Sequence, residues 1–160
     1  MSIEKVRAYF EKEGIAHRIM EFDVSSATVE LAAAALGTEG GRIAKTLSFS
    51  VLGEPVLIVC AGDARIDNAK FKAKFKTKAK MLTPEEAVEL VGHAVGGVCP
   101  FATNPGVTVY LDESLKRFDT VYPACGSSNS AIEMNASELE KYSRAVEWVS
   151  VTKLPQEGVL

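Results

Sequence analysis

Ile43-Ala44-Lys45-Thr46-Leu47-Ser48-Phe49-Ser50-Val51-Leu52 is an apolar, β-prone run carrying one cation, and a second apolar run follows it after Gly53-Glu54-Pro55. Two such runs around a glycine-proline turn predict a hairpin over residues 43–61. The lysine has no packing role there, because a long cationic side chain is among the least often buried. Strand alternation leaves two readings open. Lys45 turns to solvent, or it stands on a pocket wall where a partly desolvated ammonium meets a polar ligand. Gly96-Gly97-Val98-Cys99-Pro100 favours the pocket. Its glycines leave main-chain N–H groups approachable and its proline fixes the bend, which suits capture of a small ester or carboxyl group.

On the N-terminal side, Ile3, Val6 and Phe10 recur at helical spacing with Gly14 as a stop, a short strand is expected over 17–22, and Thr28 to Leu36 is an alanine-rich helix closed by Gly37. On the C-terminal side, Asp67 caps a helix whose Phe71 and Phe75 lie one turn apart, although the alternating lysines from 70 to 80 also fit a strand. Thr83-Pro84-Glu85-Glu86 holds the cap, the first-turn proline and the glutamate that reaches back, predicting a helix to Val91. Strands are expected near 95–98, 107–111, 120–125 and 130–134. A helix over 137–142, with Glu140 completing a second capping box, and a closing strand over 145–151 follow. Irregularly spaced strands among short helices predict an α+β domain, not an alternating parallel sheet, and residues 1–160 read as one domain.

With 47% apolar and 24% charged residues in a 160-residue chain, the composition is globular, and no apolar run approaches the roughly 20 residues that cross a bilayer. The N-terminus mixes charges of both signs and shows no secretory signal, so a cytoplasmic location is expected. Three cysteines without a close pair and two histidines argue against a disulfide framework and against a metal centre. Neither a dinucleotide fingerprint nor a Walker sequence is present, so no cofactor is expected. No G-x-S-x-G elbow supports a serine-hydrolase triad. A lone Cys99 is more often a small buried hydrophobe than a nucleophile. The formal charge is −3, yet residues 65–80 hold seven basic residues against Asp67, or +6, leaving −9 elsewhere. Such a segment is either a localised polyanion contact or a solvated face.

At these residues the chain resembles the YbaK/ProX family of trans-editing aminoacyl-tRNA deacylases, related to the editing insertion of bacterial prolyl-tRNA synthetases. The matching elements, over roughly residues 1–152, are the first helix and strand, the Thr28–Gly37 helix, Lys45-Thr46-Leu47, the G-x-x-x-P pattern from Gly96 to Pro100, and the Gly126 loop before Ile132-Glu133-Met134. The resemblance implies a mixed, mostly antiparallel, barrel-like sheet with short helices around it. It further implies hydrolysis, without metal or protein nucleophile, of the ester joining a wrong amino acid to tRNA, commonly tRNA-Pro carrying Ala, Ser or Cys. Lys45, Gly96 and Gly97 would then act on the carbonyl. Phe22, Thr46, Val98, Cys99, Pro100, Gly126, Ser127 and Asn129 would bind the substrate, and Lys70, Lys72, Lys74 and Lys76 the tRNA phosphates. Aminoacyl-tRNA is the implied partner, with a prolyl-tRNA synthetase complex beside it. The loop after Cys125 reads Gly126-Ser127-Ser128-Asn129-Ser130, and Ala131 stands where some relatives have aspartate, which leaves the amino acid open. Two other classes fit the residues less fully: a non-catalytic aminoacyl-tRNA or synthetase-associated binding module, and a general RNA-binding protein using the lysines.

Overall fold

The computed structural model describes residues 2–155. Helix α1 (Ile3–Lys12) buries Val6 and Phe10 completely. A 3₁₀ turn (Ala16–Arg18) and the short strand β1 (Met20–Glu21) lead to α2 (Val29–Leu36), where the Thr28 hydroxyl accepts from Leu31 N–H. The strand expected over 17–22 is thus only two residues long, since the 3₁₀ turn takes up its first half.

The hairpin forms as predicted, from β2 (Ile43–Val51) and β3 (Glu54–Ala61), antiparallel from Ala44↔Ala61 to Val51↔Glu54. Leu52 and Gly53 turn it with φ of 51° and 87°. This is a two-residue turn whose left-handed backbone matches the strand twist. Strand β4 (Arg65–Ile66) precedes α3 (Asn68–Phe75), whose N-cap Asp67 accepts from the amides of Ala69 and Lys70. Helix α4 (Pro84–Glu86) has the predicted Thr83–Glu86 capping box and widens into a π turn over Ala87–Val91, where Gly92 N–H donates to Ala87 O. Then come β5 (Thr108–Asp112), a 3₁₀ turn (Glu113–Arg117), β6 (Tyr122–Pro123), β7 (Ser130–Ala131), α5 (Ala136–Ser143), β8 (Glu147–Val149) and β9 (Thr152–Lys153).

The main sheet runs β6-β2-β3-β5-β8. The hairpin pairing is antiparallel, whereas β2–β6, β3–β5 and β5–β8 are parallel. The sheet is therefore mixed. It forms a curled half-barrel flanked by the two-stranded ladders β1–β7 and β4–β9. Strand β3 is buried on both faces, which explains its unbroken apolar run. Val56 and Ile58 pack with Phe49, Phe71 and Phe75 on one side, while Leu57, Val59 and Ala61 pack with Val6, Phe10 and Leu111 on the other.

Two expectations are corrected. Residues 95–98 form a turn and loop, not a strand, because the left-handed backbone of Gly92 before it and Gly96 within it bends the chain away from any ladder. The second capping box is made by Asn135 and Glu138, two residues before the expected frame, and Glu140 accepts instead from the Trp148 indole N–H. Asn135 takes the extended backbone that a cap requires. No described helix is long and apolar enough to cross a membrane.

Candidate functional site

The outer edge of β2 is paired at both ends and open between them. At one end Ile43 and Ala44 pair with Tyr122 and Pro123. At the other, Ser50 N–H donates to Lys80 O at 2.8 Å and Leu82 N–H donates to Ser48 O at 3.0 Å. These bonds fix the strand's phase: even-numbered residues of β2 turn N–H and C=O outward, odd-numbered ones toward β3. Thr46 is the even residue in the gap. Its Oγ1 is also buried and lacks a hydrogen-bond partner among the described residues. A buried orphan of this kind is uncommon and calls for an explanation.

Beside this gap lies a cavity of about 280 Å³. Residues 43–47 of β2 form one wall, residues 26–29 at the entry to α2 another, and Gly96, Val98, Ser130 and Ala131 close it. Among the described residues that line it, Lys45 alone is charged. Its ammonium donates to Gly62 O at 3.3 Å and Ala64 O at 2.5 Å. An ammonium has three N–H donors, so one remains for a ligand.

The glycine-proline turn divides its labour. Gly96 and Val98 line the cavity, and neither amide finds an acceptor among the described residues. Gly97 does something else. Its N–H donates to Ala94 O at 3.0 Å, and a Cβ there would come within 2.8 Å of the Gly126–Ser127 backbone. It is glycine for close packing, and it lines a separate cavity of about 270 Å³ with Ser2, Gly126 and Ser127. The turn therefore brings Gly96, but not Gly97, to the cavity that Lys45 lines.

Cys99 is fully buried in the core, off the cavity wall, with its thiol pushed up to about 12 by desolvation. At neutral pH it stays protonated, which leaves it no nucleophilic role. Pro100 is buried and borders a different cavity beside Tyr9 and Arg144. Neither residue faces Lys45. Phe22 and Asn129 are tied both ways: Phe22 N–H donates to Asn129 O, and Asn129 Nδ2 donates to Phe22 O. Ser127 Oγ sits 2.7 Å from Ser130 Oγ, so Phe22, Asn129 and Ser127 buttress the wall that Ser130 forms without lining it.

Sequence reasoning missed Ser26, Thr28 and Tyr122 as wall residues. Only tertiary pairing puts them there, as when Ser26 N–H donates to Ser128 O across a hundred residues. The lysine segment is partly committed: Lys70 Nζ donates to Thr152 O and Lys74 pairs with Glu147. Lys72 and Lys76 are exposed, and Lys72 and Lys78 flank a groove of about 460 Å³. By alternation Lys45, Leu47 and Phe49 share a sheet face, and Phe49 stacks on Phe71 of α3 with centroids 5.0 Å apart. Helix α3 thus lies on the Lys45 face, about 13 Å further along β2 at 3.3 Å per residue. Among the described residues, no group of three or more His, Cys, Asp and Glu is placed to hold a metal ion.

The family model of the aminoacyl-tRNA editing domain matches residues 24–142, which include every residue of the cavity wall. The chain belongs to this family. A relative of matching length is the uncharacterized protein YwhH of Bacillus subtilis (strain 168), 51% identical over 96% of this chain and 98% of the relative. The proline–tRNA ligase of Lysinibacillus sphaericus (strain C3-41) is 32% identical over 56% of this chain but only 16% of its own length. Among solved structures, a proposed trans-editing enzyme for prolyl tRNA synthetase superposes with a TM-score of 0.85 at 31% identity, over 95% of this chain and 97% of the other.

Proposed function

We propose that this editing domain hydrolyses mischarged aminoacyl-tRNA in trans, and that its substrate is tRNA-Pro esterified with a small wrong amino acid such as Ala, Ser or Cys. One observation carries the reading: Lys45, Gly96 and Val98 with their unengaged amides, and Thr46 with its orphan hydroxyl all line one small cavity. Donors converging without a side-chain base suit a reaction whose main demand is stabilising a developing oxyanion. Water, oriented by a hydroxyl of the terminal ribose, attacks the ester carbonyl and gives up a proton. The negative charge gathers on its oxygen near the amides. The carbon–oxygen bond to the ribose then breaks, the ribose oxygen takes a proton, and free amino acid leaves.

Lys45 orients the substrate's terminal nucleotide or carbonyl, and Thr46 offers N–H, C=O and hydroxyl to the aminoacyl group. Cavity size favours short side chains, although one methylene is worth only about 1–3 kcal/mol of discrimination. The exposed lysines Lys72, Lys76 and Lys78, in and after the helix that packs on the Lys45 face of the sheet, take the acceptor-stem phosphates. A synthetase that releases the mischarged tRNA is the natural partner.

Incubating the purified protein with a panel of tRNAs charged with Ala, Ser, Cys and Pro tests this reading. Release of a small amino acid from tRNA-Pro, with Pro-tRNA-Pro spared, is expected. Tight binding without turnover across the whole panel would instead make this a binding module.

A further inference from the structure

One buried chain of polar contacts joins α1 to both loops that shape the cavity. His93 is 1% exposed, with Nδ1 2.7 Å from Ser2 Oγ and Nε2 2.8 Å from Phe101 O. Ser2 Oγ in turn lies 2.8 Å from Gly126 O. Phe101 follows the Gly96–Pro100 turn, Gly126 opens the loop that ends at Ser130, and Ser2 immediately precedes α1.

The chain is one hydrogen short. Its two ends are carbonyl oxygens that only accept, so three short contacts need three hydrogens. The Ser2 hydroxyl supplies one and a neutral imidazole one. If Nε2–H serves Phe101 O, the Ser2 hydroxyl must serve Nδ1, and Gly126 O faces an oxygen without a proton between them. If instead Ser2 serves Gly126 O, Nδ1–H serves Ser2 and the Nε2 lone pair faces Phe101 O. The Cys99 thiol, 3.8 Å from that oxygen and 3.5 Å from Nε2, can donate its weak S–H to only one of them, so the 2.8 Å contact between Nε2 and Phe101 O still lacks its hydrogen. Only an imidazolium satisfies all three contacts.

We propose that Ser2 and His93 are positioning residues for the Lys45 cavity, and that a proton on His93 completes the chain and draws the Gly126–Ser130 loop against α1. The loop carries Ser130 to the cavity wall, and its Gly126–Ser127 backbone seats Gly97 and with it Gly96. Charged and titratable groups facing the imidazole are Lys5 from α1 and the Cys99 thiol, with Cys125 beyond it. Burial, and secondarily the Lys5 charge, hold His93 below the ordinary 6.5, while the bond to Phe101 O opposes them. At neutral pH the chain is therefore incomplete, and acidification completes it.

The inference rests on the cavity being the deacylation site, so the test has two arms. Deacylation of Ala-tRNA-Pro is followed between about pH 5 and pH 8 for the wild type, His93→Gln and Ser2→Ala. In parallel, nitrogen-15 NMR of the unliganded proteins follows the imidazole and the Ser127–Ser130 amides. Wild-type KM is expected to fall about three- to tenfold as pH drops through the His93 titration, the scale of one restored hydrogen bond, with kcat following the same pH course in all three proteins. In both variants KM should be independent of pH. The loop amides should move with the imidazole midpoint, and Ser2→Ala should lower that midpoint by removing an acceptor. A KM profile in the variants that matches the wild type, or loop amides that ignore the imidazole titration, overturns the proposal. Absence of turnover at any pH would refute the deacylase reading, while the NMR arm still judges the clamp.

Discussion

Asp112 and Thr46 are both polar side chains withdrawn into the sheet, and they differ in what surrounds them. At Asp112 the carboxylate accepts from Val151 N–H, Ser114 N–H and the Thr152 hydroxyl, all within 3.0 Å. Nothing there is unpaired. At Thr46 the hydroxyl has no partner among the described residues, and the strand edge on either side of it is closed. The satisfied group is architecture, pinning β9 to the end of β5. The unsatisfied one marks a place where stability has been given up. Orphaning a buried polar group costs about 1–3 kcal/mol, so such a group persists where something other than stability selects it.

The sharpest way to separate the two regions is to cut the Asp112 cluster. Asp112→Ala leaves two amides and a hydroxyl unpaired and is expected to cost about 3 kcal/mol or more. Denaturant unfolding would measure it, while deacylation per folded molecule stays near wild type below the melting transition. Gly97→Ala comes next. Its Cβ meets main chain rather than a side chain that can swing away, so a loss of about 1–3 kcal/mol and a raised KM are expected. Calorimetry and steady-state kinetics read the two effects together. Thr46→Val then inverts the usual direction: removing the orphan hydroxyl should stabilise the fold by about 1 kcal/mol while KM rises several-fold. A variant destabilised by this change would erase the distinction between the regions. Smallest is the lysine face, where Lys72→Glu with Lys78→Glu should leave kcat and folding intact and flatten the dependence of log Kd on log salt by about 1.5, the share of two phosphate contacts.

Much of the frame was legible in the chain. The hairpin over 43–61 follows from its composition, and the Thr83–Glu86 box and Asp67 cap follow from local chemistry that tertiary packing did not override. Residues 95–98 misled because Val95 and Val98 have strand propensity, whereas glycine backbone geometry decided the path. Asn135 and Ser137 are both good caps followed three residues later by glutamate, so sequence could not choose the frame. Of the site, Lys45 and Gly96 were visible as a misplaced cation and a bare turn. The open edge at Thr46 was not, since it exists only because β6 and residues 80–82 cover the strand on either side of it. The split roles of Gly96 and Gly97 were equally hidden, depending as they do on the Gly126 backbone.

Lys45→Ala tests the central claim most directly, in a single-turnover assay of Ala-tRNA-Pro hydrolysis with enzyme in excess. The account predicts a fall in the chemical rate of about 10²–10³-fold, the loss typical of one preorganised donor at a developing oxyanion, in a variant that still folds although Gly62 O and Ala64 O lose their ammonium donor. Hydrolysis at the wild-type rate by the folded variant would contradict it.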